Sequence, residues 1–234
     1  MHHTIEVENL SFAYPDGHAL DGVALHIAPG EKVALLGPNG AGKSTLILHL
    51  NGILRAQSGR VQVSGVEVGS KTLGRVRQAV GLVFQNPDDQ LFSPTVFDDV
   101  AFGPIYQGCR PAEVPLRVDE ALAAVGMSDY RGRVSHHLST GEKKRIAIAT
   151  VLSMQPEILV LDEPTAGRPR ARRGLITLLR TLPQTMLIAT HDIRMVMELA
   201  PRVVVMDHGQ VVADGPESLL ADADLLAAHG LEVY

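Results

Sequence analysis

The segment Gly37-Pro38-Asn39-Gly40-Ala41-Gly42-Lys43-Ser44-Thr45 decides the fold predicted for this chain. It matches the phosphate-loop pattern G-x-x-x-x-G-K-[ST], and it stands between a short apolar strand at residues 32–36 and a helical pattern at residues 45–54. Glycines let backbone N–H groups surround phosphate oxygens, and the N-terminus of the following helix attracts anions. We therefore expect the whole segment to form a phosphate site, with Lys43 at the β- and γ-phosphates and the Ser44 hydroxyl on Mg²⁺. The alternative is a glycine-rich turn that merely precedes a helix.

Apolar runs in the rest of the chain predict a parallel sheet around this first strand. Residues 4–27 alternate apolar and polar around Tyr14-Pro15-Asp16-Gly17, which predicts an antiparallel strand pair. Further strands are predicted at residues 60–63, 80–84, 158–161, 185–189 and 202–207, and several of these runs are nearly all apolar, as is typical of strands buried on both faces. Helical patterns occur at residues 96–106, 111–125 and 140–154. The predicted fold is α/β, a single domain over residues 1–234 with an N-terminal antiparallel β patch and a helical subdomain inserted at about residues 94–155.

Two carboxylates follow the apolar run at residues 158–161. Asp162 and Glu163 stand where this strand ends, and in a parallel sheet that end borders the ligand crevice. We expect Asp162 to help hold Mg²⁺ and Glu163 to orient or deprotonate an attacking water. The alternative is a solvated pair at the end of a strand.

Composition and charge exclude several other classes of function. The chain has 234 residues, with 26 acidic and 21 basic side chains and a net charge of -5, so we expect no nucleic-acid partner. Its single cysteine, Cys109, can form no internal disulfide and no cysteine-rich zinc site. No apolar run is long enough for a membrane-spanning helix.

Two further polar residues follow predicted strands, and a third motif lies between them. Gln85 follows the run at residues 80–84, and His191 comes soon after residues 185–189, so both can face a γ-phosphate. Between them stands Leu138-Ser139-Thr140-Gly141-Glu142, just before a basic helix. In this order the motifs resemble the nucleotide-binding subunits of ATP-binding-cassette (ABC) transporters, whose signature is L-S-G-G-[QE].

That resemblance implies roles for the remaining site residues. Tyr14 would stack on adenine, Gln85 would contact Mg²⁺ and the attacking water, and His191 would bind the γ-phosphate. Ser139 and Gly141, at the start of their helix, would clamp the ATP held by a second ATPase subunit. The implied activity is ATP hydrolysis with ATP and Mg²⁺ bound between two cassettes, which form a homodimer or a heterodimer. For Tyr14 a simple packing role is the alternative.

Residues 84–104 resemble the ATPases of energy-coupling-factor importers, above all the cobalt and nickel subgroup. The resemblance implies a peripheral subunit on the cytoplasmic face of the cell membrane that drives uptake of a transition-metal ion, with a vitamin importer as the alternative. Two acidic pairs, Asp88-Asp89 and Asp98-Asp99, follow Gln85 in the sequence. We expect a basic surface of integral membrane subunits to dock there, the alternative being a solvated acidic face.

Two positions depart from the family pattern. Thr140 replaces a glycine of the signature, and Gly167-Arg168-Pro169 replaces the usual G-L-D-P, without its Asp. Both lie on surfaces that complete the site of the opposite subunit. We therefore expect intact ATP binding within the chain but slow hydrolysis in a homodimer. This leaves a weakly hydrolysing regulatory cassette as an alternative, and an error in the sequence around Arg168 as another.

Overall fold

The computed structural model describes residues 4–165 and 169–231, except for the side chains of residues 169–171. One of its two sheets has four antiparallel strands in the order β2-β1-β4-β5. These strands are β1 (Ile5–Tyr14), β2 (Gly17–Ile27), β4 (Ser58–Val63) and β5 (Val66–Glu67). The turn between β1 and β2 lies where the sequence predicts it.

The other sheet has six strands in the order β10-β9-β3-β8-β7-β6. They are β3 (Lys32–Leu36), β6 (Val80–Val83), β7 (Ile158–Asp162), β8 (Thr185–Ala189), β9 (Arg202–Asp207) and β10 (Gln210–Pro216). All neighbours pair in parallel except β10, which is antiparallel to β9 at the edge. The loops that follow β3, β6, β7 and β8 therefore meet at one edge of the sheet.

Helices cover the six-stranded sheet and link its strands. They are α1 (Lys43–Leu50), α2 (Leu73–Ala79), α3 (Val96–Tyr106), α4 (Val114–Ala124), α5 (Thr140–Leu152), α6 (Pro169–Thr181), α7 (Ile193–Leu199) and α8 (Ala223–Ala228). Helices α3, α4 and α5 follow β6 and precede β7 in the sequence, and they pack on one another. This is the segment in which the sequence predicts an inserted helical subdomain.

The strand β7 is almost entirely apolar because it lies between two hydrophobic cores. Leu159 and Leu161 pack in the core beneath the helical segment, whereas Ile158 and Val160 pack in the core shared with the antiparallel sheet. Because successive side chains of a strand point to opposite faces, a strand between two cores must be apolar throughout. The α/β fold with an antiparallel β patch and helical elements is confirmed.

Element ends account for most of the differences from the sequence predictions. The helix predicted at residues 45–54 is α1, which begins at Lys43 and ends at Leu50. Beyond Leu50 the chain turns back, with the N–H groups of Ile53 and Leu54 both donating to the carbonyl of Leu48. The edge strand β10 was not predicted, because its side chains are only partly buried or exposed. Within the described ranges, no helix is both long and apolar enough to cross a membrane.

Candidate functional site

The predicted phosphate loop occupies residues 37–42, between β3 and α1. Gly37 (φ +153°) and Gly42 (φ +99°) have backbone conformations that residues with side chains rarely adopt. A Cβ at Gly42 would lie 2.5 Å from the carbonyl oxygen of Ala19, and a Cβ at Gly37 would overlap the carbonyl oxygen of Met206. Neighbouring backbone thus packs so closely on the loop that only glycine fits at these two positions.

Lys43 is folded back into this loop and is only 8% exposed. Its Nζ donates to the carbonyl oxygens of Gly37 (2.6 Å) and Pro38 (3.0 Å). Burial lowers the pKa of Lys43, and the carboxylates of Glu163 and Asp162 oppose that effect. A phosphate would offer the ammonium a charged acceptor in place of two neutral carbonyls. The side chain is therefore well placed to bind an anion that enters the loop.

The predicted Mg²⁺ ligands Ser44 and Asp162 lie close together. The Ser44 hydroxyl at the start of α1 lies close enough to the Asp162 carboxylate at the end of β7 to influence its pKa. Burial raises the pKa of Asp162, and the nearby Ser44 hydroxyl and Lys43 cation counteract that rise. A hydroxyl and a carboxylate oxygen are the hard donors that Mg²⁺ prefers, so this pair fits the ion.

Glu163 and His191 come from separate strands and meet at the same edge of the sheet. Glu163 follows β7 directly, and its side chain is 12% exposed. A 2.9 Å contact joins its Oε1 to Nδ1 of His191, and its Oε2 accepts a hydrogen bond from Thr190 Oγ1 at 3.3 Å. The His191 side chain is 75% exposed, so the imidazole can reach a ligand from solvent while it contacts the carboxylate.

Lys144 also belongs to this cluster, although it lies outside the sequence motifs that predict the site. Its Nζ donates to the main-chain carbonyl of Glu163 at 2.5 Å, and the residue is 7% exposed. Burial lowers the pKa of Lys144, whereas Glu163 and Asp162 raise it. A signal was present in the sequence, because Lys144 shares one helical face with the buried residues Ile148 and Val151.

Gln85 and Tyr14 lie at or just beyond the ends of two other strands, β6 and β1. Gln85 is exposed just beyond β6, the strand next to β7, and so borders the same edge of the sheet. Tyr14 ends β1, and its ring packs edge-on against Phe12, which in turn packs against His49 of α1. Tyr14 is 39% exposed, which leaves part of its ring open to a ligand. The roles expected for both residues stay predictions.

Ser139 and Gly141 of the signature lie at the start of α5. Ser139 caps this helix, and both its hydroxyl (2.7 Å) and its N–H (2.8 Å) donate to Oε2 of Glu142. The Tyr130 hydroxyl donates to the other oxygen of Glu142 at 2.6 Å. This bond, followed by those from Ser139, lowers the pKa of Glu142. The signature is thus a capped helix N-terminus, the kind of structure that favours an anion.

Of the two departures from the family pattern, the structure describes Thr140 fully, whereas the segment Gly167-Arg168 lies outside the described residues. Thr140 is exposed and helical, and the cap at Ser139 forms beside it. Replacing glycine by threonine therefore changes the outer surface of the signature and leaves its local fold intact.

The acidic residues expected to face a partner fall into two groups. Asp88, Asp89 and Asp98 are exposed, and Lys143 forms an ion pair with Asp88 at 2.6 Å. Asp89 lies at the rim of an open groove beside α3. These three carboxylates can therefore meet a basic surface.

Asp99, by contrast, is buried at 2% exposure. One carboxylate oxygen accepts the backbone N–H groups of Phe92 (3.0 Å) and Ser93 (2.8 Å), and the other accepts the Ser135 hydroxyl (2.5 Å). The prediction that Asp99 presents its charge to a partner is wrong, because the carboxylate is used to join a loop and a turn inside the helical segment.

Known proteins are similar to this chain in both fold and sequence. The family model described as ABC transporter matches residues 20–166. The energy-coupling factor transporter ATP-binding protein EcfA of Carboxydothermus hydrogenoformans is 49% identical over 99% of this chain and 88% of its own length. The structure of cbiO1 from Clostridium perfringens, part of the ABC transporter complex cbiONQ, is 40% identical with a TM-score of 0.85, covering 97% of this chain and 94% of that one.

A more distant structure adds the assembled, nucleotide-bound state. The ATP-binding cassette MJ0796, as a dimer in a post-hydrolysis state with ADP and Pi, is 25% identical with a TM-score of 0.82, covering 91% of this chain and 98% of that one. ABC cassettes bind ATP with Mg²⁺ and hydrolyse it in support of transport. The chain therefore belongs to the ABC transporter family, as an ATP-binding cassette of the energy-coupling-factor type.

Proposed function

We propose that residues 37–45 bind Mg-ATP and that Glu163 catalyses its hydrolysis. The observation that carries this proposal is the contact of Glu163 with His191 at the edge of the sheet that also holds Lys43. A base, a γ-phosphate ligand and a phosphate-binding cation are the parts that phosphoryl transfer to water requires. The sequence motifs placed each of these residues at the end of a strand or the start of a helix.

In this proposal each side chain has a defined task. Glu163 orients a water and accepts its proton as the water oxygen bonds to the γ-phosphorus, while the bond from that phosphorus to the ADP oxygen breaks. Lys43 and His191 offset the negative charge on the γ-phosphate. Gln85 contacts the water and the ion, and Tyr14 stacks on the adenine.

Ser44 and Asp162 would hold Mg²⁺ in this proposal, with Gln85 as a further oxygen donor. When bound, the ion supplies positive charge beside the β- and γ-phosphates. The proximity of Ser44 to Asp162 supports the assignment, because both oxygen donors can then reach the same ion.

Docking of membrane subunits is assigned here to the groove beside α3. This groove, of about 260 Å³, carries the exposed aromatic rings of Phe92 (62%), Phe102 (52%) and Tyr106 (79%), with Asp89 at its rim. Exposed apolar patches of this kind mark interaction sites in proteins, and the nearby carboxylates favour a basic partner segment. The groove adjoins the loop that carries Gln85, which provides a physical route from the nucleotide to the partner.

The cargo assigned here is a transition-metal ion, cobalt or nickel, which a separate membrane subunit binds. The likeness of residues 84–104 to cobalt and nickel importers supports this assignment. The test is uptake by cells of the source organism that carry a chromosomal Glu163→Gln variant, with cobalt, nickel and labelled vitamins measured in parallel. Loss of cobalt or nickel uptake alone is expected, whereas loss of vitamin uptake with normal metal uptake would overturn it.

A second candidate function is a regulatory cassette that binds ATP and hydrolyses it slowly. The exposed Thr140 in the signature favours it, because a β-branched side chain stands where backbone must approach the partner's phosphate. Thr140→Gly separates the two candidates. A large gain in turnover would identify the native chain as a slow cassette, whereas an unchanged rate would favour the full ATPase.

A further inference from the structure

The backbone of Glu163 is held in an unusual conformation. Its φ is +44°, in the left-handed region that residues other than glycine rarely occupy. Such a residue persists only where its surroundings hold it, and positions of this kind gather at functional sites. Whatever fixes this peptide therefore also fixes the direction of the carboxylate.

Two hydrogen bonds hold the Glu163 main chain from opposite elements. Its N–H donates to the carbonyl of Ala189 on β8 at 2.8 Å, which continues the sheet. Its carbonyl accepts from Nζ of Lys144 on α5 at 2.5 Å. Lys144 is thus the contact that comes from outside the sheet.

Burial of Lys144 indicates that this contact has a specific purpose. A lysine is seldom buried unless its ammonium is paired, and here it is 7% exposed on a helix that otherwise buries apolar residues on this face. The ammonium also lies close enough to Asp162 and Glu163 for their charges to act on it. Lys144 is thus a second cation, besides Lys43, that lies close to Asp162 and Glu163.

We propose that Lys144 is a positioning residue of the ATPase reaction, which aims the Glu163 carboxylate by holding its main-chain carbonyl. The inference rests on the role proposed above for Glu163. Lys144 itself contacts neither nucleotide nor water in this account, so its loss should slow turnover and leave ATP binding unchanged.

The test compares Lys144→Met, Lys144→Gln and Lys71→Met with the wild type, in the full chain together with any membrane subunits that copurify with it. Methionine keeps the length of the side chain without a donor, glutamine keeps a neutral donor, and Lys71 is an exposed lysine elsewhere in the chain. The quantities measured are kcat, KM, the Kd for Mg-ATP and the melting temperature. Lys144→Met is expected to lower kcat by about tenfold to a hundredfold with an unchanged Kd, since a catalytic group displaced by about 1 Å costs rates of that order. Lys144→Gln should recover part of the loss, and Lys71→Met should match the wild type.

The outcomes separate this inference from the function on which it depends. If Lys144→Met keeps the wild-type kcat, or if kcat and ATP affinity fall together with the melting temperature, Lys144 is not a positioning residue. If the wild type itself does not hydrolyse ATP under conditions where it binds it, the proposed function has failed and the positioning role fails with it.

Discussion

The buried carboxylate of Asp99 allows a sharp test of how the helical segment is held together. Replacing Asp99 by alanine removes the acceptor for two backbone N–H groups, of Phe92 and Ser93, and for the Ser135 hydroxyl. A buried donor left without its partner costs about 1–3 kcal/mol, so the loss of all three bonds should lower the free energy of unfolding by about 3–5 kcal/mol.

Asp99→Asn should cost far less, about 1 kcal/mol, because neutral hydrogen bonds replace charged ones while the bonds themselves are retained. Both backbone N–H groups donate to the same oxygen of Asp99, and the amide oxygen of asparagine can take its place. The amide nitrogen can then donate to Ser135, whose hydroxyl also accepts hydrogen bonds.

The assay is urea unfolding followed by far-UV circular dichroism, with Asp98→Ala as the matched control. Asp98 is exposed, and its loss should change the free energy of unfolding by less than about 1 kcal/mol. Equal effects of Asp98→Ala and Asp99→Ala would refute the reasoning, as would an Asp99→Asn variant that is as unstable as Asp99→Ala.

Three further outcomes are expected. Gly42→Ala, whose Cβ would lie 2.5 Å from a backbone oxygen, should lower the free energy of unfolding by about 3 kcal/mol. Gly40→Ala, with open space around its Cβ, should lower it by about 1 kcal/mol. Urea unfolding measures both values, and equal losses of stability would contradict the geometry. Phe102→Ala should abolish copurification with membrane subunits while ATP hydrolysis by the purified chain persists, whereas Leu116→Ala, exposed on α4, should change neither. Because the pKa of Glu142 is lowered in the folded state, its contribution to stability is present above pH 4.5 and is lost as the pH falls through the folded pKa. Glu142→Gln should weaken the acid dependence of the unfolding free energy, and an unchanged pH profile would contradict this cause.

The sequence predicted well those features that depend on neighbouring residues. The strands at residues 185–189 and 202–207 have the predicted ends, because polar or turn-forming residues bound each apolar run. Helix α3 begins as predicted, after Thr95, whose hydroxyl accepts the N–H of Asp98. The phosphate loop is likewise predicted from a local motif, although the backbone that crowds Gly37 and Gly42 belongs to distant residues, Met206 and Ala19.

Contacts between distant segments could not be predicted in this way. Asp98 and Asp99 are adjacent and chemically identical, and only the positions of Ser135 and of the backbone at Phe92 and Ser93 make Asp99 a buried acceptor. The helical pattern places Lys144 on a face with apolar residues, but its partner, the Glu163 carbonyl, lies on another element and could not be predicted. Burial and pairing of charged side chains are decided by tertiary packing, so such residues are where sequence reasoning failed.

The central claim is that this site hydrolyses ATP with Glu163 as its base. The direct test is Mg-ATP hydrolysis by the wild type, Glu163→Gln and Glu120→Gln, with the Kd for ATP measured for each; Glu120 is an exposed glutamate on α4. The account predicts that all three bind ATP equally, that the wild type and Glu120→Gln turn over alike, and that Glu163→Gln loses turnover by about a hundredfold or more. Undiminished hydrolysis by Glu163→Gln would contradict it.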